Sequence, residues 1–113
     1  MHARVTCAIV SVGAWGPDTS QVYDSLPRAE AEALEASGVH AETCALLLDA
    51  DGQRVPGLDE RRLGVDEVTL RAIPTVVAIC TGPEKTSATR AVLRSGLVSS
   101  LVTDSDIAAA VLD

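Results

Sequence analysis

The apolar residues of this chain change period along its length, and that alternation constrains the fold more than any single residue does. RVTCAIVSV (residues 4–12) is rich in β-branched residues and stops at Gly13, and TVVAIC (75–80) runs from Pro74 to Thr81-Gly82-Pro83. Both read as buried strands, and LVSSLVTD (97–104) reads as another. Helical punctuation lies between them. In SLPRAEAEALEASG (25–38), Ser25 is the expected cap, Pro27 fits the first turn and Gly38 closes the end. GPEKTSATRAVLRSG (82–96), with Thr81 or Gly82 as cap, puts Ala88, Ala91 and Val92 on one face and ends at Gly96. Asp66 caps a short helix that Pro74 ends, and Asp104 or Ser105 caps a last one in SDIAAAVLD. Residues 20–25 suit a short helical turn, and GLDERRLGV (57–65) is irregular. HAETCALLLDADGQRV (40–55) predicts a strand over 40–48, a turn at DADG and a return over 53–55.

The order is strand, helix, strand hairpin, helix, strand, helix, strand, helix. It predicts an α/β fold: a layered, mostly parallel sheet with flanking helices. At 113 residues this is one domain with one core. With one Trp, one Tyr and no Phe, the core must come from Val, Leu, Ile and Ala. A sheet of about four strands is small. Strands from outside the chain, or from a partner, are expected to complete it.

The net charge of -7 excludes classes of partner. Nucleic-acid backbone binding needs a basic footprint, and an anionic membrane repels such a chain. No apolar run approaches the length of a membrane span, and the start reads as a strand rather than a signal peptide. Cys7, Cys44 and Cys80 share no metal or redox spacing. An odd count without a framework implies reduced thiols of a cytosolic protein, acting as small buried hydrophobes.

Lys85 is the only lysine in the chain. It lies just past a strand and just inside a helix, where α/β proteins place ligands. A cation there opposes the helix dipole at a cost of a few tenths of a kcal/mol. A phosphate held between Lys85 and the free N–H groups reverses that sign. The alternatives are a local offset by Glu84 or plain solvation. TGPEK lacks the full GxxxxGK[ST] loop.

Other candidates are weaker. Asp49, Asp51 and Glu60 occupy three positions of a calcium loop, but Arg54 replaces the required glycine, so calcium is rejected and the turn kept. Glu42 opens an apolar run; the pattern favours solvent, and the alternative is a cleft where it accepts the hydroxyls of a sugar. Trp15 is either a lid over a ligand or a packing anchor. His2 and His40 have no metal spacing, and His40 reads as a surface residue. No serine lies in a GxSxG motif. No catalytic residue, metal or cofactor is expected.

Three stretches together resemble one family. AIVSVGAW resembles a strand and glycine loop usually written ALVGIGSW. GVHAETCALLLDADGQRV is similar to a G-[DE]-x-x-x-x-F-F-D-x-x-G pattern. IPTVVAICTGPEKTSATRAVLRSGLVSSLVTD is similar to the run from I-P-x-V-I-A-V-A-G-G-x-x-K to A-L-R-G-G-L-[IV]-x-x-L-[VI]-T-D. They are those of the sugar-binding domain of SorC-type transcriptional regulators, which include the central glycolytic gene regulator and a deoxyribonucleoside regulator of the DeoR type. The resemblance covers nearly the whole chain.

It implies a fold like the glucosamine-phosphate deaminase, ribose-phosphate isomerase and CoA-transferase group. It implies a cytoplasmic, homo-oligomeric bacterial regulator sensing a phosphorylated sugar or polyol. Lys85, with Gly82, then holds the effector phosphate. Glu42 and the glycine loop Gly13, Ala14 and Trp15 contact the sugar. The pattern departs at Thr81-Gly82, where the family has paired glycines, and at Leu47-Leu48, where it has aromatics. Residues 1–113 are then the C-terminal part of the effector domain, without the helix-turn-helix through which family members reach DNA. The alternative is a sugar-phosphate isomerase or deaminase of the same fold, for which no distinctive acid–base pair stands out.

Overall fold

The computed structural model describes residues 5–58 and 65–112, so His2, Glu60 and the 59–64 part of the irregular segment lie outside the described residues. Strand β1 (Cys7–Ser11) and strand β2 (Gly13–Ala14) come first, followed by helices α1 (Gln21–Ser25) and α2 (Arg28–Ala36). Strands β3 (Ala41–Thr43) and β4 (Leu46–Leu48) precede helix α3 (Glu67–Ala72) and strand β5 (Thr75–Cys80). A 3-10 turn (Pro83–Lys85) leads into helix α4 (Thr86–Ser95), then strand β6 (Ser100–Thr103) and helix α5 (Ser105–Leu112).

The expected α/β architecture is present, with its strands divided between two sheets. β1, β5 and β6 form a parallel sheet in that order. β2, β3 and β4 form a small antiparallel ribbon. The predicted strand over 40–48 is therefore a hairpin of its own, reversing at Cys44-Ala45. Both loop residues have positive φ, 53° and 60°, as a two-residue type I′ turn requires. Neither is the Gly or Asn that normally announces such a turn. The DADG turn also forms. The Asp49 carboxylate accepts the N–H groups of Asp51 and Gln53, and the return pairs Arg54 with Leu48.

The ribbon stands between two apolar clusters. Leu46 and Leu48 join Val10, Val76, Ala78, Ala91, Val92 and Ile107 in the main core. Leu47 points the other way, into a second cluster with Trp15, Tyr23, Ala31 and Val39 under α1 and α2. A strand buried on both faces explains the unbroken Leu46–Leu48 run.

Caps set most helix ends. Asp66 accepts the Thr69 N–H, Asp104 accepts the Ile107 N–H, and Gly96 leaves α4 in the left-handed region. Ser25 does not cap α2: its hydroxyl donates to the Val22 carbonyl, and Pro27 occupies the cap position. Ser20 instead caps α1, accepting the Tyr23 N–H. Of the cysteines only Cys80 is buried; Cys7 is exposed and Cys44 sits in the reverse turn rather than a strand.

Candidate functional site

Strand β1 ends at Ser11, and the chain turns sharply into β2 at Gly13. β3 lies beside β2 and sets Glu42 opposite Gly13. A Cβ at residue 13 would lie 2.1 Å from Glu42 Oε1, so only glycine leaves room for the carboxylate. Glu42 is 7% exposed. The solvent-facing reading fails because the second face of the ribbon is covered by the α1–α2 layer. The Ala45 N–H donates to Glu42 Oε2 at 3.2 Å, and the Ser20 hydroxyl lies 3.4 Å from Oε1. Burial nevertheless raises the Glu42 pKa; the Ala45 N–H, the Ser20 hydroxyl and the Lys85 charge pull it back only in part.

Lys85 ends the 3-10 turn and directly precedes α4. Its ammonium donates to the Val12 carbonyl at 2.9 Å, and its charge acts on Glu42. The local offset to this cation therefore comes from across the fold, not from Glu84. The turn itself is pinned by Asp104, whose Oδ2 accepts the Gly82 N–H at 2.9 Å while Oδ1 caps α5. These backbone bonds, led by that from Ile107, hold the Asp104 pKa below its ordinary value.

Gly13, Ser20, Glu42 and Lys85 border a cleft of about 470 Å³ beyond the end of β1. Its walls include Ser11, Val12, Gly13, Ser20, Glu42 and Lys85, with Asp18 and Asp24 from the loop and helix α1. Among the described residues, the non-glycine positions with positive φ are Asp18, Cys44 and Ala45, and all three line this cleft. Strained backbone gathered at one place marks a site that the surrounding structure holds in shape.

The candidates separate in space. Gly13, Glu42 and Lys85 meet at the cleft. Ala14 and Trp15 line a second hollow of about 510 Å³ with His40 and Ser87. Trp15 is the packing anchor of the two readings: it is 8% exposed, donates from Nε1 to the Ala31 carbonyl and packs edge-on to Tyr23. His40 is half-buried, with Nε2 2.7 Å from the Ser87 hydroxyl. Gly82 lines neither hollow, and its N–H is engaged by Asp104. Sequence reading missed Ser20, the Val12 carbonyl and the Cys44-Ala45 turn, because long-range packing and a turn without its usual residues leave no local pattern. No group of three His, Cys, Asp or Glu side chains suited to a metal occurs among the described residues.

The whole chain, residues 1–113, matches the family model Sugar-bind, described as "Putative sugar-binding domain". The chain belongs to this sugar-binding domain family. It is similar to a transcriptional regulator from Streptococcus pneumoniae TIGR4 (27% identity, TM-score 0.86), covering 98% of this chain and 43% of that one. A DeoR family transcriptional regulator from Listeria monocytogenes gives 26% identity and a TM-score of 0.83, with 96% and 45% covered. The full-length sorbitol operon regulator SorC from Klebsiella pneumoniae, at 24% identity, shares the fold with a TM-score of 0.89, over 99% of this chain and 37% of that one. The SorC-type resemblance read from the motifs is thus the one the comparisons return. The sugar-binding chain spans less than half the length of these structures. No helix among the described residues is long and apolar enough to cross a membrane.

Proposed function

We propose that this chain is the effector-binding portion of a sugar-responsive bacterial transcriptional regulator, and that its effector is a phosphorylated sugar or polyol bound in the Gly13–Glu42–Lys85 cleft. The observation that carries this reading is the pairing of one ammonium and one buried carboxylate on the walls of a cleft at the strand ends. Lys85 supplies a cation for a phosphate. Glu42 supplies acceptor oxygens for sugar hydroxyls, and Gly13 lets backbone approach the ligand closely. Asp18 and Asp24 disfavour an anion at their own rim, which orients a bipolar ligand with its phosphate toward Lys85. The assignment of Ala14, Trp15 and Gly82 to direct contact has less support: they act by shaping the loop, the second core and the Lys85 turn.

Binding shifts an oligomer between DNA-competent and incompetent states, with DNA contacted by a different part of the cytoplasmic protein. The reading is of a sensor rather than an enzyme. The similar proteins are transcriptional regulators, which supports the sensor; His40 lines the other hollow, and Glu42 is the buried carboxyl through which an enzyme of this fold would have to move a proton. The test is titration calorimetry of the native gene product with a panel of sugars and their phosphates. Phosphorylated members bind, and Lys85→Ala weakens them by about 10- to 100-fold, the loss of one charge-assisted contact. Equal binding by wild type and variant overturns the role of Lys85. Chemical conversion of a bound sugar phosphate overturns the sensor reading.

A further inference from the structure

His40 and Ser87 stand 47 positions apart in the chain and meet in the second hollow, with the imidazole Nε2 2.7 Å from the hydroxyl. Neither residue lines the effector cleft. His40 is held by its main chain on both sides, at the start of β3. Its N–H donates to the Leu48 carbonyl at 2.8 Å, and its carbonyl accepts the Trp15 N–H at 3.1 Å. The imidazole is thus fixed to the ribbon where Trp15 anchors it in the second core. Ser87 is the second residue of α4 and follows Lys85 by two positions. The contact joins the ribbon, which carries Glu42, to the first turn of the helix behind Lys85.

The Lys85 turn needs such a tie. It is three residues of 3-10 helix, too short to hold its own shape. On the side of the parallel sheet, Asp104 accepts the Gly82 N–H, and the Lys85 N–H donates to the Gly82 carbonyl at 3.0 Å. At the mouth of the cleft the Lys85 ammonium donates to the Val12 carbonyl. That last bond is the one a bound phosphate displaces. The His40–Ser87 bond survives the exchange, because its atoms lie outside the cleft. It also survives either charge state of the ring. A neutral imidazole Nε2 accepts from the hydroxyl or donates to it, and an imidazolium donates.

We infer that His40 is a positioning residue of the effector site: through Ser87 it holds the Lys85 turn against the ribbon, so that the ammonium and the Glu42 carboxylate keep their spacing when a ligand takes the place of the Val12 carbonyl. His40 touches no effector itself. Its part in binding rests on the phosphorylated-effector reading of the cleft, whereas its hold on the turn does not.

Two measurements on the native gene product test the two parts. The first is amide hydrogen exchange without ligand. His40→Ala and Ser87→Ala speed exchange at residues 85–88 by about 3- to 10-fold, the loss of one hydrogen bond, and leave the amides of β5 unchanged. His40→Gln restores the slow rate, since its amide reaches about as far as Nε2 and both donates and accepts. The second is calorimetry with the sugar phosphate that binds the wild type most tightly. His40→Ala weakens it by about 3- to 10-fold, His40→Gln binds like the wild type, and His40→Ala adds no further loss in a Lys85→Ala background. Unchanged exchange at residues 85–88 in His40→Ala overturns the inference. So does an effect at β5 as large as at the turn, a failure of His40→Gln to restore binding, or a full additional loss in the Lys85→Ala background. Faster exchange at the turn in a protein whose wild type binds no sugar phosphate overturns the effector reading and supports the hold on the turn.

Discussion

Glu42 carries the sharpest tension at the scale of single residues: a carboxylate buried in a chain that already has sixteen acidic residues against nine basic ones. Desolvation raises its pKa in the folded protein. Between the ordinary glutamate range and the raised value, the folded form holds a proton that the unfolded form has released. Stability therefore falls as pH rises through that window, and the loss persists above it. Glu42→Gln removes the slope, and urea denaturation from about pH 4 to about pH 8 measures it. An unchanged profile in the variant shows that Glu42 is solvated. The sequence hid this burial because a lone carboxylate opening an apolar run reads as solvent-facing, and the run alone does not reveal that both faces of the ribbon are covered. Lys85 was legible as an anomaly, the one lysine beside a helix start; its contact with the Val12 carbonyl, 73 positions away, was not.

Among the elements, the β3–β4 hairpin decides the shape of the cleft, because its turn supplies the Ala45 N–H that Glu42 accepts. Ala45 holds φ at 60° without being glycine. Left-handed backbone costs an L-residue roughly 1–2 kcal/mol, part of which glycine returns as extra entropy of the unfolded chain. Ala45→Gly is expected to stabilise the protein by about 0.5–1 kcal/mol, read from the urea midpoint. A loss of stability contradicts the turn. Helices and parallel strands were legible because Asp66, Gly96, Pro74 and Asp104 mark their ends with specific hydrogen bonds or backbone angles. The hairpin was merged into one strand because Cys44-Ala45 carries no turn chemistry. The cap of α2 was misassigned because Ser25 is a capping residue by type, whereas its hydroxyl turns back to the Val22 carbonyl at the end of α1 and Pro27 takes the cap position.

At the scale of the molecule, an aliphatic main core and a smaller cluster around Trp15 and Tyr23 clamp the ribbon between them. The cleft opens where the ribbon, the end of β1 and the turn after β5 meet. Strand ends are where α/β sheets bind ligands, and the chain belongs to a family of sugar-binding domains. The most direct measurement is a crystal structure of the native gene product bound to the sugar phosphate that calorimetry selects. The account predicts the phosphate against the Lys85 ammonium, in place of the Val12 carbonyl, with sugar hydroxyls on Glu42. A ligand seated in the Trp15–His40 hollow, or a phosphate held away from Lys85, contradicts it.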